Sequence, residues 1–363
     1  MAAETSATSH LSDVITDDVT KTTVDSMTSS WSRGAEFYFG CAVTVIGGVG
    51  TAANGLILYA LVASKQYMKH PLIFNQNALD FASCIFLAIT HAVKISNIRL
   101  TGLLGYCICT LILSEALVWF AVEGSITNLV IISTERYLSV IHPIWRKKKL
   151  RNWMLYFLIA LCWLFPFTYN MLKIFKFTTS WVTDGVCQYV SWYGQVGRIV
   201  HGVLYFLWYY GLVLFICVVC YWRILVAIRR QARVMAGHNT DGTAKSAAAQ
   251  AQAQHMQSNV IKTMIFVCVF YAVAWLPENV YYLMANLGVH LTFVDSGYYV
   301  VMFLAFLYNC MNPFIYATKF EPVKKHLRRL MLCQKDNQPP ITHNFQTTGA
   351  HTAAKRTFQE HKL

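Results

Sequence analysis

Charged side chains are scarce in this sequence of 363 residues: Asp, Glu, Lys and Arg make up 13% of it, while 56% is hydrophobic. A typical soluble domain carries about 25% charged residues, so the composition excludes an ordinary soluble protein and favours a membrane protein. The sequence has no Asn-x-Ser/Thr acceptor, so Asn-linked sugar is not expected. No segment recurs with a period of about 20 to 50 residues, which argues against an inverted-repeat transporter.

Long apolar runs dominate what is present. A bilayer core of about 30 Å is crossed by about 20 mostly apolar helical residues, and seven such runs lie near 37–64, 71–93, 106–134, 153–172, 199–222, 260–287 and 297–317. The predicted fold is therefore an all-α membrane protein with a seven-transmembrane helix bundle over 37–317. Residues 1–36, rich in Ser, Thr and Asp, are predicted to form a disordered extracellular tail.

Lys and Arg number 30 against 17 for Asp and Glu. Such an excess can indicate nucleic-acid binding, but its distribution here indicates topology, because Lys and Arg collect on the cytoplasmic side of membrane helices. With the N-terminus outside, 23 of the 30 are cytoplasmic, and the extracellular ones are Lys21, Arg33, Lys94, Arg99, Lys173, Lys176 and Arg198. We expect an extracellular N-terminus, a cytoplasmic C-terminus and no nucleic-acid partner.

The segment 173–198 alternates aromatic and polar residues, which predicts a hairpin over an extracellular opening. An oxidising exterior favours one disulfide bond between its Cys187 and the start of the third run. The sequence does not choose between Cys109 and Cys107 as the partner.

Two cytoplasmic segments carry structural predictions. The Ala- and Gln-rich end of the segment 229–258 favours helix, and could extend the sixth run into the cytosol. Residues 318–333 predict a short amphipathic eighth helix at the cytoplasmic face, with apolar and basic residues on opposite sides. Cys333 at its end is a predicted palmitoylation site, the alternative being an unmodified cysteine. Residues 334–363 are a cytoplasmic tail.

Asp80 lies in the middle of the second run, where a charge is costly without a partner. Ser125, Asn309 and Asn312 lie at depths that could surround it. Their oxygens suit a sodium ion as an allosteric ligand, and a water-filled hydrogen-bond network without an ion is the equal alternative. Beyond that possible sodium we expect no cofactor and no metal.

The runs also carry an ordered series of short motifs. They are "ANGLIL", "NALD" with Asp80, "TERYLSVIHP" with Arg136, Trp163, "AWLP" with Trp275 and Pro277, and "NPFIY" with Asn312, Pro313 and Tyr316. Each motif is weak alone. Their order over residues 37–333 resembles the rhodopsin-like (class A) G protein-coupled receptors, nearer the peptide-binding branch. The two prolines, each close to large aromatic side chains, predict helices that can pivot.

The resemblance implies a role for "ERY" at the end of the third helix. Glu135 would restrain Arg136 at rest, and a conformational change would free Arg136, beside Tyr137, to receive a heterotrimeric G protein. Tyr221 and Tyr316 would move in beside it. Gln257 stands where a second acid often opposes the Arg, which predicts a looser resting state. The outer cysteine of the third helix is also shifted from its usual spacing.

The resemblance further implies a ligand pocket between the outer halves of helices three, five, six and seven. Val118 replaces the Asp of amine receptors, and the seventh helix lacks the Lys of retinal proteins. The acidic candidates are Glu278, Glu115 and Glu123. The aromatic ones are Trp119, Tyr205, Tyr281, Tyr282 and Phe303. Carboxylates beside aromatic faces suit a cationic group, preferably of a peptide.

Alternatives stay open for two of the acids and for the function. Glu123 could hydrogen-bond within the bundle, and Glu115 could pair with Lys94 or His91. The leading function is a plasma-membrane receptor that activates a G protein; the alternatives are a receptor for a non-peptide small molecule or lipid, or a transporter. Membrane lipid and arrestin are further expected partners, arrestin through tail threonines: Thr347, Thr348, Thr352 and Thr357. An enzyme is not expected.

Overall fold

The computed structural model describes residues 34–183, 185–191, 194–236, 244–291, 293, 296–319, 323–324 and 326–328. The chain divides into two units, Met1–Leu327 and Arg328–Leu363, and Arg328 alone is described in the second. Cys333, the tail threonines, the tail 334–363 and residues 1–33 lie outside the described residues. Of the predicted amphipathic helix, residues 323–324 and 326–328 are described, and they are helical.

Seven helices in the described part of the chain are long and apolar enough to cross a membrane, which confirms the predicted bundle. They are α1 (Gly34–Ala63), α2 (Pro71–Ile95), α3 (Gly102–Ile141), α4 (Asn152–Leu172), α5 (195–236), α6 (Ala244–Asn286) and α7 (Ser296–Lys319). A 3-10 turn, Gln66–Met68, precedes α2, and a short helix, Pro143–Lys149, joins α3 to α4. The helix α6 begins well before its apolar part, Ile261–Asn286, as expected from the Ala- and Gln-rich segment.

Three helices contain wide π-helical turns near the ends that face the predicted hairpin. These turns are Ile108–Leu113 in α3, Lys173–Phe177 at the end of α4, and Phe206–Leu212 in α5. In α3 the π turn is followed by Glu115, whose φ of 61° is left-handed. A non-glycine residue in that conformation is uncommon. The outer part of α3 is therefore irregular, and Cys109 lies within its π turn.

The helix α3 lies at the centre of the bundle, where it packs against α2, α4 and α5, while α7 packs against α6 and α2. The approach to α4 is close, because a Cβ atom on Gly124 would meet the carbonyl oxygen of Cys162 at 2.6 Å. Large aromatic side chains fill the centre: Trp275, Tyr271, Tyr308, Tyr316 and Phe306 are all fully buried.

The predicted extracellular hairpin is present. Strands β1 (Thr178–Thr183) and β2 (Val186–Ser191) are antiparallel, with Val182 opposite Cys187. Cys187 is bonded to Cys109 of α3, with the two Cα atoms 5.4 Å apart, and Cys107 is an exposed free thiol. The sequence left Cys109 and Cys107 open as partners, and the disulfide uses Cys109. It links the hairpin to the outer end of α3.

Candidate functional site

An outer cavity of about 240 Å³ opens between α3, α5, α6 and α7. We call it the acidic cavity. Its lining residues are Trp119, Glu123, Lys173, Tyr205, Glu278, Tyr282, Phe293 and Tyr298. Two carboxylates, one lysine and several aromatic rings thus share one space. Five of these residues were predicted from the sequence: Trp119, Glu123, Tyr205, Glu278 and Tyr282.

Glu278 lies one residue after Pro277 in α6 and is 3% exposed. Its Oε2 atom has no hydrogen-bond partner among the described residues. A buried carboxylate without a partner is costly in free energy, because burial removes the water that would otherwise solvate its charge and donate hydrogen bonds to it. The cavity therefore contains an acceptor that a ligand donor can satisfy.

Glu123 is held from within the bundle. Its Oε2 atom accepts hydrogen bonds from Asn170 Nδ2 at 2.8 Å and from Tyr209 Oη at 3.1 Å. Of the two roles that the sequence left open for Glu123, the structure thus shows the internal hydrogen bonds, and it also places the residue in the lining of the acidic cavity. Lys173 supplies a positive charge to the same space from the π turn at the end of α4.

Glu115 does not line the acidic cavity. It forms an ion pair with Lys94, and its Oε2 atom accepts a hydrogen bond from Trp119 Nε1 at 3.2 Å. Of the two partners proposed from the sequence, the structure thus selects Lys94. The pair borders a second outer cavity of about 480 Å³ between α1, α2, α3 and α7, which His91 also lines.

Tyr281 and Phe303 also lie outside the acidic cavity. Successive residues of an α-helix are turned by about 100°, so Tyr281 points away from its neighbour Tyr282. Tyr281 instead packs against Tyr298 and Phe293, with ring centroids 5.6 Å and 6.5 Å apart. Phe303 packs half-buried against the hydrophobic core. Lys173, Phe293 and Tyr298 also line the acidic cavity and were not predicted from the sequence. Phe293 lies in the α6–α7 loop, and Lys173 was predicted only to lie in an extracellular segment.

Aromatic side chains connect the floor of the acidic cavity to the centre of the bundle. Trp119 meets Trp275 edge to face, with ring centroids 6.4 Å apart, and Trp275 also contacts Tyr271. Trp275 Nε1 has no hydrogen-bond partner in the described chain. Pro277 lies inside α6, two residues after Trp275. A ligand that displaces Trp119 would therefore press directly on Trp275, close to that proline.

Asp80 is fully buried in the centre of the bundle. Ser125 Oγ donates to its Oδ1 atom at 2.6 Å, and Asn312 Nδ2 donates to its Oδ2 atom at 2.9 Å. The structure brings these predicted partners together across α2, α3 and α7. The Asn309 side chain, also predicted here, has no hydrogen-bond partner within the described ranges. Its backbone oxygen accepts a bond from Asn54 Nδ2 at 3.4 Å.

At the end of α3 opposite the hairpin, Glu135 is 4% exposed and pairs with two arginines. Arg136 Nε lies 2.6 Å from Oε2, and Arg146 Nη2 lies 2.6 Å from Oε1. Arg146 Nε and Ser139 Oγ each donate to Oε1 at 2.9 Å. The adjacent pair predicted from the sequence is therefore present. Arg146, contributed by the short helix Pro143–Lys149, was missed because a basic run at a cytoplasmic loop is expected from topology alone.

His70 precedes α2 and lines a cavity of about 120 Å³ at the same end of the bundle, together with Glu135, Arg136 and Arg146. Burial, and next the positive charge of Arg136, lower the pKa of His70 from 6.5 to about 4. The imidazole is therefore neutral at physiological pH, although the carboxylate of Glu135 acts in the opposite direction.

The tyrosines predicted to act beside Arg136 lie in different environments. Tyr221 is buried on α5 and accepts a 3.4 Å hydrogen bond from Ser133 Oγ of α3. Tyr316 is buried on α7, and its hydroxyl has no partner in the parts of the chain described. Tyr137 packs edge to face on His142. Pro313 lies inside α7, one residue after Asn312. The side chain of Gln257 is outside the described residues.

Comparisons with known proteins agree with this arrangement. The family model "7 transmembrane receptor (rhodopsin family)" matches residues 53–316. Neuropeptide Y receptor type 4-2 of Homo sapiens is 27% identical over 327 residues, covering 85% of this chain and 83% of that protein. Lysophosphatidic acid receptor 3 of Rattus norvegicus is 24% identical over 291 residues, covering 77% and 75%.

A crystal structure of squid rhodopsin has the same fold. It aligns with a TM-score of 0.67 at 18% sequence identity, covering 84% of this chain and 89% of that one. The family match covers all six motifs from the "ANGLIL" segment to "NPFIY" within one seven-helix bundle. The chain therefore belongs to the rhodopsin family of seven-transmembrane receptors and is a ligand-binding G protein-coupled receptor, not an enzyme.

Proposed function

We propose that this receptor binds an extracellular ligand through a cationic group, preferably that of a peptide, and that Glu278 is the anchor. The observation that carries the proposal is the unpartnered oxygen of this buried carboxylate in the acidic cavity. A ligand ammonium or guanidinium would supply the missing donors and also the neutralising charge. Tyr205 and Tyr282 border the same space with aromatic faces that suit a cation.

Lys173 limits what else the ligand can be. Because it brings a positive charge into the acidic cavity, a simple cation that filled the space would be repelled from that side. A peptide can pair with both charged residues of the cavity, since its basic group can reach Glu278 while a carbonyl or carboxylate faces Lys173. Relatives named as receptors for neuropeptide Y and substance P support the peptide reading.

Lys173 also favours a second candidate, a lipid with an anionic head group. A phosphate pairs well with a lysine, and one relative is named as a lysophosphatidic acid receptor. Under this alternative Lys173 would be the anchor and Glu278 would be a secondary contact. The two candidates therefore predict opposite responses to the loss of each residue.

The signal would pass from the acidic cavity to the cytoplasmic face through Trp119 and Trp275. Movement at the Pro277 and Pro313 kinks would separate α6 from the bundle and free Arg136 to contact the G protein. Arg146 would then keep Glu135 neutralised after Arg136 has left, because it already contacts the other carboxylate oxygen. The receptor would work in the plasma membrane with its N-terminus outside, and arrestin would bind the phosphorylated tail.

The test is G protein activation in cells that express the chain, challenged with separate libraries of basic peptides, amines and lysophospholipids. The expected result is a response to basic peptides that is lost in Arg136→Ala. That variant keeps Glu135 paired with Arg146, so it should still reach the cell surface, which surface labelling checks. A response confined to lysophospholipids, lost in Lys173→Ala and kept in Glu278→Gln, would contradict the peptide proposal.

A further inference from the structure

Asp80 lies at the end of a continuous line of hydrogen bonds that crosses three helices. Trp163 Nε1 of α4 donates to Asn75 Oδ1 at 2.8 Å, and Asn75 Nδ2 donates to Asn128 Oδ1 at 3.0 Å. Asn128 Nδ2 donates to Gln76 Oε1 at 2.8 Å, and Gln76 Nε2 donates to Asp80 Oδ1 at 3.4 Å. We call Trp163, Asn75, Asn128 and Gln76 the amide relay. Its three amide side chains are buried.

The direction of this relay is determined by its partners. An indole N–H can only donate, so Asn75 must turn its oxygen towards Trp163 and its NH₂ group towards Asn128. Asn128 Nδ2 also donates to the backbone carbonyl of Leu72 at 3.0 Å, and a carbonyl can only accept. Turning any one amide over would set two donors or two acceptors against each other. Gln76 must therefore present its NH₂ group, and not its oxygen, to Asp80.

The Gln76 NH₂ group reaches two atoms that a cation would need. Besides Asp80 Oδ1 it donates to Ser125 Oγ, while the hydroxyl of Ser125 donates to the same carboxylate. Asn312 donates to the other carboxylate oxygen. A sodium ion requires oxygen lone pairs directed at one point, yet here Ser125, Asn312 and Gln76 all direct hydrogens at the carboxylate. These residues do not fit the sodium site that the sequence suggested as one of two alternatives.

We infer that Gln76 takes the place of a sodium ion at Asp80, so that the carboxylate of Asp80 is satisfied without a cation. The amide relay transmits an N–H donor from α4 to the buried carboxylate, and three donated hydrogen bonds stabilise its charge. The stability of the folded chain and its ligand affinity should then be independent of sodium. Because the inference concerns the receptor without bound ligand, it does not depend on which ligand the receptor binds.

The experiment is the thermal unfolding of the full-length chain, purified in detergent without ligand, in sodium chloride and in potassium or choline chloride of equal ionic strength. The expected result is the same Tm in all three salts. A sodium ion present at about ten times its dissociation constant would multiply the folding equilibrium constant about elevenfold, which a Tm measurement detects. A higher Tm of the native chain in sodium alone would overturn the inference, whatever the variants do.

Gln76→Glu is the sharpest variant, because it has the same shape and replaces the N–H donors with an oxygen. A second carboxylate beside Asp80 and Ser125 creates the oxygen-rich cage that a cation needs, so its Tm should rise in sodium chloride only. Should this variant fail to fold, Gln76→Leu removes the donors without adding charge and should show a smaller rise in sodium.

Thr127→Val is the matched control, since the Thr127 hydroxyl bonds only to the Glu123 carbonyl of its own helix among the described contacts. This control should remain independent of sodium. A folded Gln76→Glu chain with equal Tm values in the three salts would also overturn the inference. That result would mean that the N–H donors of Gln76 are not what excludes sodium.

Discussion

Two buried glutamates at opposite ends of the bundle differ in how they are satisfied. Glu278, in the outer half of α6, has an oxygen that lacks a partner in the described chain. Glu135, at the inner end of α3, forms ion pairs with two arginines and accepts a hydrogen bond from a serine, and its Oε2 atom contacts Arg136 as an ion pair without a hydrogen bond. Both are almost inaccessible, at 3% and 4% exposed. Burial therefore does not by itself explain the difference; the two ends supply different partners.

The contrast indicates what each end is built to do. A carboxylate that the chain leaves unsatisfied costs stability unless another molecule supplies the donor, which is the property of a binding site. A carboxylate with two cations resists rearrangement until one of the cations is removed, which is the property of a switch held in one state. The following experiments would break or sharpen this distinction.

The largest effect is expected for Glu278→Gln. Losing one member of a buried, hydrogen-bonded charge pair costs about 2 to 5 kcal/mol, so the potency of a cationic ligand should fall by about 30-fold or more. Dose–response curves of G protein activation measure it. Glu115→Gln is the matched control, because Glu115 already pairs with Lys94 and should change potency far less. Equal losses in the two variants would show that Glu278 is not a distinct anchor.

A smaller effect is expected for Glu135→Gln, which should raise receptor activity where Glu278→Gln lowers it. The neutral amide holds neither arginine, and charge-assisted hydrogen bonds contribute about 1.5 to 3 kcal/mol, so the equilibrium between resting and active states should shift about tenfold or more. The measurement is basal G protein activation without ligand, corrected for surface expression. Unchanged basal activity would mean that the ion pairs at this end do not hold the resting state.

Arg146→Ala should lower basal activity, by less than Glu135→Gln raises it, because Glu135 would then depend on Arg136 alone for its neutralisation. Arg146 is 43% exposed, and partly exposed ion pairs contribute about 0.2 to 1 kcal/mol, so a change of up to about fivefold is expected. Lys148→Ala in the same short helix is the control, because it removes an equal charge from an exposed position. Identical behaviour of the two variants would show that Arg146 acts through net charge and not through Glu135.

The last effect concerns stability and not signalling, and is a pH dependence at His70. Since the pKa of His70 is lowered to about 4 in the folded chain from 6.5, the unfolded chain binds more protons between these values. Stability from neutral His70 is therefore fully present above about pH 6.5 and falls as the pH drops towards 4. The Tm of the purified chain should decrease over this window. His70→Asn should flatten the curve, and an unaltered slope would assign the effect to other groups.

The sequence was sufficient for features that depend on composition and on the chemistry of single side chains. Seven apolar runs predicted seven helices, alternating residues predicted the hairpin, and the cost of a buried charge predicted that Asp80 has partners on α3 and α7. Each of these follows from a local property that the rest of the chain cannot reverse.

Features that depend on helix phase could not be read from the sequence. Tyr281 and Tyr282 have the same chemistry, and only the rotation of α6 decides which one lines the acidic cavity. Arg146 lies in a run of four basic residues, and the sequence does not distinguish the member that turns towards Glu135. The amide relay was missed for a similar reason: Asn75, Gln76 and Asn128 become meaningful only when α2 and α3 are in register.

The three π-helical turns have a consequence for how such a receptor can diversify. A π turn adds one residue to a helix, and all three lie towards the hairpin end of α3, α4 and α5. In α3 and α5 the helix continues outward beyond the turn. A single-codon insertion or deletion there would rotate only the outer segment and would leave the inner segments in phase. Mutation could thus remodel ligand selectivity in small steps while the surface offered to the intracellular transducer stays the same.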